Sequence, residues 1–514
     1  MENQSLKSMF VRLKKHHSGN ISIVVVDKSN GKYYQVKSFG IAKSVEHQQA
    51  LEQEARQWIL RYGGQQQLEF EDIRTPAESI DYALSKIENI HMDTPYRILS
   101  RIYDEIGFNA INDNILRHLA IARVCEPQSK LATVAYLKSY FDEDISHYQI
   151  YRYMDKLYKS QREKVQQISV EHTRKILGGS VGLLFYDVTT LYFEAAPRDD
   201  IRQAGFSKDG KTSEAQIVLG LLVSKDGYPL SYSIFNGSQY EGYTMIPIID
   251  DFIQRFSLED FVVVADSGLM SQKNIKLLRD AGYKYIIGAR IHNVGEQTQK
   301  WLLSLPKDER VLHETKQGNG DRLIVSYSKN RADNDAHNRE RGISRLQKAY
   351  KSGKLTKENI NKRGYNKFLT ISKDVEVSID EQKIAEDALW DGLKGYITNT
   401  NLPKDEVVAQ YHGLWVVERA FRISKGNLQM RPVFHFTEKR IEAHICICFV
   451  AYKIYKELER QLPLYKIRMS VDKVLSIAKT IPTLKIKMPN GEVVNKTMTF
   501  TEEQEKLLPL ISQN

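Results

Sequence analysis

Residues 181–187 read VGLLFYD and residues 261–266 read FVVVAD, and each is a run of apolar residues that ends in an aspartate. Apolar runs of this kind predict strands that are covered on both faces of a sheet. Further strands are indicated at 216–223 and 229–235, and a helical pattern covers 243–256. Adjacent strands followed by a helix and another buried strand predict an α/β layer fold.

Two carboxylates come directly after these apolar runs. Asp187 follows VGLLFY and Asp266 follows FVVVA, so each is expected at the carboxyl end of a buried strand. Open α/β sheets place their ligand-binding groups at this edge. A single aspartate after a strand is more often a turn or capping residue, but two of them on neighbouring strands favour a shared site.

A third acid lies on a helix predicted from about residue 404 to residue 425. Tyr411, Glu418 and Lys425 are seven residues apart, which is close to two helical turns, so they are predicted to share one stripe. Because an unpaired buried charge costs on the order of several kcal/mol, a carboxylate in this largely apolar stripe needs compensation. Two compensations are open: an ion pair with Arg422, or a bound metal.

The three acids together predict a metal-dependent reaction. Converging carboxylates repel one another unless divalent ions lie between them, and Mg²⁺ prefers such oxygen ligands. We therefore expect two Mg²⁺ or Mn²⁺ ions held by Asp187, Asp266 and Glu418, which would support cleavage or joining of a phosphodiester. Lys425 and the hydroxyl of Tyr411 are then predicted to contact phosphates.

Five segments resemble the DDE transposases of bacterial insertion sequences, more narrowly the IS4-like group and its IS1634 type. They are residues 186–194, 205–211, 216–223, 264–270 and 411–425. The resemblance covers roughly residues 180–460 well and the N-terminal part more loosely. It implies an RNase H-like core whose catalytic triad is Asp187, Asp266 and Glu418.

The same family carries a helix motif of Tyr, Arg, Glu and Lys that holds transposon-end DNA. Its members have two, three and six residues between them, a spacing that Tyr411, Glu418 and Lys425 fit. Leu414 stands at the Arg position, which removes one expected phosphate contact. The neighbouring residues that could replace it are Arg419 and Arg422.

The predicted fold class is α/β: an RNase H-like core interrupted by a β-rich inserted subdomain, with a helical N-terminal region and C-terminal helices. Asn30-Gly31 between alternating segments predicts a β-hairpin. The predicted segments are an N-terminal β-hairpin region at 1–75, a helical DNA-binding domain at 76–178, the first part of the core at 179–289, the inserted basic subdomain at 290–394, the second part with the third acid at 395–461, and a tail at 462–514.

The charge balance favours an anionic partner. The chain has 74 Lys and Arg against 64 Asp and Glu, a net charge of +10. Residues 419–468 hold eleven basic against four acidic side chains, which suits DNA next to the third acid. For 329–367, with twelve against four, a nucleic-acid contact and a solvated helical arm fit equally well. Lys208 and Lys211 are expected either to contact phosphates or to be turn residues.

The cysteines, the N-terminal segment and the length of the apolar runs indicate a cellular location. Three cysteines without CxxC spacing fit a reducing cytosol. The N-terminus has no apolar signal region, and no apolar run approaches the roughly 18 residues of a membrane span. We expect a bacterial, cytoplasmic, nucleoid-associated protein with no membrane partner.

The predicted function is a transposase that binds the terminal inverted repeats of its own element and cuts DNA. The resemblance further implies joining of the 3′-OH ends to target DNA, and a homodimer or larger synaptic complex. Two alternatives stay open: an RNase H-like metal-dependent nuclease that does not join strands, and a non-catalytic DNA-binding regulator derived from a transposase.

Overall fold

In the part of the chain that the structure describes, the strands form one large sheet, two smaller sheets and a two-stranded hairpin. This computed structural model describes residues 9–16, 19–28, 31–62, 84–194, 198–206, 213–258, 260–269, 271–352, 364–371, 377–488 and 491–511. The strands are β1 (Met9–Lys15), β2 (Ile21–Asp27), β3 (Tyr34–Ala42), β4 (Ile87–His91), β5 (Leu183–Tyr192), β6 (Gln216–Ser224), β7 (Pro229–Asn236), β8 (Val262–Ala265), β9 (Lys284–Ala289), β10 (His313–Lys316), β11 (Arg322–Tyr327), β12 (Leu369–Ile371), β13 (Val377–Ile379), β14 (Leu393–Thr398), β15 (Thr483–Lys487) and β16 (Val493–Thr497).

The α-helices are, in chain order, α1 (Val45–Tyr62), α2 (Thr94–Ile106), α3 (Asn114–Cys125), α4 (Lys130–Phe141), α5 (His147–Lys156), α6 (Arg162–Ile176), α7 (Met245–Phe256), α8 (Gln272–Asp280), α9 (Glu296–Ser304), α10 (Lys329–Lys351), α11 (Glu381–Ala388), α12 (Lys404–His412), α13 (Trp415–Lys425), α14 (Glu438–Leu464), α15 (Val471–Ala478), α16 (Glu502–Glu505) and α17 (Leu508–Ile511). None of the helices in the described part of the chain has both the length and the apolar character that a membrane span needs.

The described residues of Met1–Ile90 and Leu484–Lys496 form one of two compact units. In this unit β1, β2 and β3 make an antiparallel sheet in that order, and α1 packs against it. The predicted β-hairpin is confirmed, because β2 pairs antiparallel with β3. Gly31 has a φ of +74°, as a tight hairpin turn requires, whereas Asn30 lies outside the described residues. A second sheet in this unit has the order β16-β15-β4.

The second unit contains the described residues of His91–Thr483 and Thr497–Asn514 and is built on the eight-stranded sheet. Its strand order is β10-β11-β14-β9-β8-β5-β6-β7. The central strands β5, β8 and β9 run parallel, and the strands on either side are antiparallel to their neighbours. The predicted mixed α/β fold is therefore confirmed. Every residue of β6 is buried, as its continuous apolar sequence requires.

Helices cover both faces of this large sheet. On one face α7 and α8 contribute Phe252 and Leu278 to a hydrophobic cluster with the sheet. On the other face lie α12, α13 and α14. The helices α2, α3, α5 and α6 pack around α14, which is buried on all sides and so forms the centre of this layer. Residues of the predicted helical region thus share one hydrophobic core with the C-terminal part of the chain.

The strands of the segment 290–394 belong to two different sheets. Two of the strands expected there, β10 and β11, extend the large sheet, because β11 pairs with β14. The hairpin of β12 and β13 instead packs with α10 in a small separate cluster of Leu346, Phe368, Leu369 and Val377. An inserted subdomain with the bounds 290–394 stays a prediction.

Candidate active site

Asp187 and Asp266 lie side by side in the large sheet. The parallel pairing of β5 with β8 ends at Tyr186↔Ala265, and the two aspartates are the next residues of each chain segment. Since side chains alternate along a strand, Asp187 shares a face with Phe185, and Asp266 shares a face with Val264. Phe185 and Val264 belong to the hydrophobic cluster that includes α12 and α13. Both carboxylates therefore face the helical layer that carries the third acid.

The prediction that Asp187 lies at the carboxyl end of its strand is wrong. β5 continues to Tyr192, because β6 remains its antiparallel partner as far as Tyr192↔Gln216. The residues after Asp187 are VTTLY, which are β-branched or aromatic apart from one leucine and favour an extended strand. Asp187 therefore lies within the strand, just beyond the end of its parallel partner. The amide of Val188 donates to its Oδ1 at 2.8 Å.

Asp266 is held as a carboxylate by several donors. The hydroxyl of Tyr411 donates to its Oδ1 at 2.7 Å. Burial by itself would raise the pKa of Asp266, but the Tyr411 hydroxyl, the Ser267 amide, the charge of Lys394 and the Gly268 amide outweigh it and lower that pKa. The side chain is therefore prepared to be a negatively charged oxygen ligand.

A glycine in β9 makes room for the Tyr411 hydroxyl. A Cβ added at Gly288 would lie 2.5 Å from that hydroxyl oxygen and 3.0 Å from the amide nitrogen of Ser267. Both distances are shorter than normal van der Waals contact, so a side chain here would displace the tyrosine from Asp266. Gly288 is therefore part of the site, although it carries no chemistry.

The helix that we predicted over residues 404–425 is two helices, α12 and α13. Between them the amide of Leu414 donates to the carbonyl of Tyr411, and the amide of Val417 donates to the carbonyl of Leu414, as in a 3₁₀ turn. Gly413 lies at this junction, where an added Cβ would be 2.6 Å from Cζ of Phe185. The close approach of β5 and the tighter turns together change the register of the two helices.

The three residues predicted on one stripe differ in their exposure. Tyr411 is buried, with 7% of its surface exposed, whereas Glu418 is exposed and Lys425 is partly exposed. Water can solvate the carboxylate of Glu418, so neither an ion pair with Arg422 nor a metal is required to compensate a buried charge there. α13 packs against β5, which carries Asp187.

Asp187 and Asp266 are the candidate ligands for a divalent metal ion. Among the described residues, no group of three or more His, Cys, Asp and Glu side chains is close enough to hold a metal ion. Asp187 and Asp266 nevertheless fit Mg²⁺ or Mn²⁺ by their chemistry, because Mg²⁺ is commonly bound by one or two carboxylates, with waters and substrate phosphates as further ligands. The two aspartates could hold an ion, and the contribution of Glu418 stays a prediction.

The other predicted residues have different surroundings. Arg419 forms an ion pair with Glu459 of α14, with Nη1 3.2 Å from Oε2. Arg422 is exposed and lines a cleft of about 710 Å³ that also contains Lys466 and Arg468. The two loop lysines of the prediction lie outside the described residues; they are Lys208 and Lys211.

Sequence reasoning missed Lys394. Its Nζ lies 5.1 Å from the ring centre of Tyr411. Burial lowers the pKa of Lys394, and the negative charge of Asp266 offsets only part of this effect. The available signal was its position as the only charged residue in the strand LKGYIT, β14. A cleft of about 610 Å³ runs from Lys394 past Ser267 to Arg331 and is rich in charged side chains.

Comparison with known proteins assigns the family. The model of a family described as Transposase DDE domain matches residues 182–454, more than half of the chain. The chain therefore belongs to this family and is a transposase of the DDE class. No curated protein matches it.

Two solved structures are similar to the chain at low sequence identity. A cryo-EM structure of a piggyBac transposase synaptic complex with hairpin DNA has a TM-score of 0.39 and 10% identity, and the match covers 76% of this chain and 78% of that one. A Mos1 transposase paired-end complex with the left transposon end has a TM-score of 0.15 and 10% identity, covering 45% and 66%. Both TM-scores are below 0.5, so the family match carries the assignment.

Proposed function

We propose that this transposase binds the terminal inverted repeats of its own insertion sequence, cuts DNA by metal-dependent phosphodiester hydrolysis and joins the 3′-OH ends to target DNA. The observation that carries the proposal is the pair Asp187 and Asp266. Asp187 lies within β5 and Asp266 directly follows β8, at the same level of two adjacent parallel strands, and both face the layer of α13. The strand order β7-β6-β5-β8-β9, with β5 antiparallel to β6, supports an RNase H-like core. We assign the element to the IS4-like group and its IS1634 type.

In this proposal the chain supplies fixed oxygen ligands and positive charge. Asp187, Asp266 and Glu418 of α13 would hold two Mg²⁺ or Mn²⁺ ions. Bound ions of this kind stabilise negative charge on the oxygens of the reacting phosphate. Tyr411 and the amides of Ser267 and Gly268 keep Asp266 ionised so that it can bind a cation.

Each step of the reaction forms one P–O bond for each P–O bond that it breaks. In the cut, a water oxygen bonds to phosphorus and the P–O3′ bond breaks, which leaves a 3′-OH on one side and a 5′-phosphate on the other. In the joining step the freed 3′-OH oxygen bonds to a phosphorus of the target, whose own P–O3′ bond breaks. No net phosphodiester is lost in the second step, so it needs no external energy source.

DNA contacts are proposed along the basic side chains that follow the third acid. Arg422 is exposed, and with Lys466 and Arg468 it lines the cleft of about 710 Å³. Lys425 lies at the end of the same helix, α13. Each lysine or arginine that neutralises a phosphate adds to a salt-dependent affinity. Because two ends must be cut together, we propose a homodimer or larger assembly on DNA, in a bacterial nucleoid.

The experiment uses the purified full-length chain and a supercoiled plasmid that carries both ends of the element. We expect nicking and then strand transfer in Mg²⁺ or Mn²⁺, and none in EDTA. Asp187→Asn and Asp266→Asn should remove both activities and leave end binding largely intact. Asp226→Asn, which changes an exposed aspartate in the turn between β6 and β7, is the matched control and should cut normally.

The same assay decides between the proposal and its alternatives. Nicking without insertion of a supplied 3′-OH end would identify a nuclease that does not join strands. Binding with no metal-dependent nicking would identify a DNA-binding regulator. Loss of end binding in Asp187→Asn, to the same degree as loss of cutting, would show that this residue is structural.

A further inference from the structure

The sheet formed by β1, β2 and β3 has two faces of different chemistry. One face is covered by α1, and Ile23 and Val25 of β2 are fully buried against Leu51 and Ala55 of that helix. The residues that alternate with Ile23 and Val25 must point to the opposite face. We call this opposite side the outer face of the sheet.

The register identifies the residues of the outer face. Val26 pairs with Phe10, and Val24 pairs with Arg12, so these residues lie on the same side. Lys14 is on that side as well, because it is two residues beyond Arg12 on β1. Phe10, Arg12 and Lys14 are all exposed. The outer face therefore presents an aromatic ring and two cations from a single strand.

Tyr33 joins these side chains into one layer. Its ring centre lies 6.1 Å from that of Phe10, with the rings nearly perpendicular. The guanidinium of Arg12 lies 4.9 Å from the same ring centre, and Nζ of Lys28 lies 5.2 Å from it. Cation–π contacts of this kind hold a charged side chain in one direction while its hydrogen-bond donors stay available. The layer is thus organised before any partner binds.

Charge is distributed unequally between the two sides of the sheet formed by β1, β2 and β3. Within the three strands the single acidic residue is Asp27, which pairs with Met9, a residue of the cluster under α1, and so lies on the covered side. In the helix that covers this sheet, α1, the acids include Glu52 and Glu54. The outer face of the strands carries positive charge only, which is complementary to an anion.

The size of the face suits one kind of anionic partner. Three strands about 4.8 Å apart span roughly 10 Å, and the major groove of B-DNA is about 12 Å wide. A two-stranded β-ribbon fits this groove, and β-sheets are among the structures that read DNA through its grooves. Arginine is the side chain that most often contacts guanine there, through O6 and N7.

We propose that the outer face of β1–β3 binds in the major groove of duplex DNA and is a sequence-reading surface of this transposase. Arg12 reaches base edges, and Lys14 and Lys28 contact the flanking phosphates. The proposal rests on the proposed function, since it assigns to the first compact unit a share of the recognition of transposon ends. It places sequence reading on a sheet, in addition to the DNA-binding domain predicted in the helical region at 76–178.

The test uses the full-length protein and fluorescein-labelled 30-base-pair duplexes tiled through the DNA on either side of its gene. Arg12→Ala should lower the affinity for the best duplex about tenfold or more, and Lys14→Ala should lower it less and reduce the salt dependence. Arg56→Ala is the matched control, because it removes one exposed positive charge from α1 in the same unit. Its affinity should stay within about twofold of wild type.

A second measurement reads the groove directly. Methylation of guanine N7 by dimethyl sulfate should interfere with binding of the wild-type protein, and Arg12→Ala should lose this interference at one or two positions. Equal affinity of Arg12→Ala and Arg56→Ala, no N7 interference, or equally tight binding of the single strands would each overturn the proposal. Metal-dependent nicking of a plasmid by the same variants separates failure of this proposal from failure of the proposed function. If wild type neither binds nor nicks DNA, the proposed function fails as well.

Discussion

The hydroxyl of Tyr411 donates a 2.7 Å hydrogen bond to Oδ1 of Asp266, a residue that precedes it by 145 positions in the chain. The bond joins the end of α12 to the point where β8 stops. It gives the buried tyrosine a partner in the protein, and it keeps the aspartate ionised. The orientation of Asp266 therefore depends on the placement of α12 against the sheet.

We predict that Tyr411→Phe raises the pKa of Asp266, because burial is then opposed by fewer donors. The acidic limb of the rate of DNA cleavage should move to higher pH. The lowered pKa of the wild-type side chain stabilises the fold at pH values above the ordinary pKa of aspartate, and this contribution is lost as the pH falls through the pKa of the folded state. The variant should accordingly be less stable than wild type at pH 7, with a difference that shrinks in acid.

The matched control is Tyr283→Phe. Tyr283 also donates a 2.7 Å hydrogen bond to an aspartate, Asp250. Asp250 belongs to α7, on the opposite face of the sheet from α12 and Tyr411. Urea denaturation and the pH profile of nicking should be measured for both variants. An unshifted acidic limb in Tyr411→Phe would show that the hydroxyl does not control the ionisation of Asp266 during cleavage.

Gly288→Ala should reproduce this shift without removing any polar atom. The new Cβ would meet the Tyr411 hydroxyl at 2.5 Å, so the tyrosine must move away from Asp266. Overpacking of this kind costs about 1–3 kcal/mol, which a thermal denaturation curve will detect. Gly182→Ala is the control at the start of β5, where no atom lies within 4 Å of the added Cβ. Unchanged cleavage in Gly288→Ala would mean that the strand yields and the hydrogen bond survives.

The features of the site that could be predicted from the sequence are those that a short apolar segment determines. The apolar segments before Asp187 and Asp266 identified adjacent buried strands, because burial on two faces leaves few alternatives to a continuous hydrophobic run. The parallel pairing of those strands then brought the two aspartates together. A helix at 404–425 was also indicated, but its interruption at Gly413 was not.

The missed features depend on contacts between distant segments. The junction at Gly413 arises where Phe185 of β5 approaches the helix backbone, and nothing within the sequence of residues 404–425 records that neighbour. Lys394 acts on Asp266 only because β14 lies beside β9 in the sheet, as β9 lies beside β8. Strand order of this kind depends on the whole topology and cannot be derived from periodicity.

Glu418 can be tested without a large change in stability. Because its side chain is exposed, Glu418→Gln should alter the free energy of unfolding by less than about 0.5 kcal/mol. Cleavage in Mg²⁺ should fall by a factor of about 100 or more if the carboxylate is the third ligand. Glu438→Gln removes an exposed carboxylate from the first turn of α14, as Glu418→Gln does for α13, and so controls for the helix dipole. Normal cleavage by Glu418→Gln would exclude this residue from the proposed triad.

Arg419 and Arg422 were predicted as equivalent substitutes for a missing phosphate contact, but their surroundings give them different roles. The guanidinium of Arg419 is paired with Glu459, which Lys456 also contacts at 2.5 Å. Arg419→Ala should therefore destabilise the fold by about 1–2 kcal/mol, since the half-buried Glu459 loses one of its two cations. The melting temperature measures this effect.

Arg422→Ala should have the opposite pattern. Its side chain is exposed on the cleft with Lys466 and Arg468, so the melting temperature should stay unchanged. The affinity for end DNA should fall, and the slope of log K against log salt should decrease by about one, as expected for one lost phosphate contact. If Arg419→Ala instead weakened DNA binding at unchanged stability, Arg419 would have to leave Glu459 to reach DNA, and the ion pair would belong only to the protein without DNA.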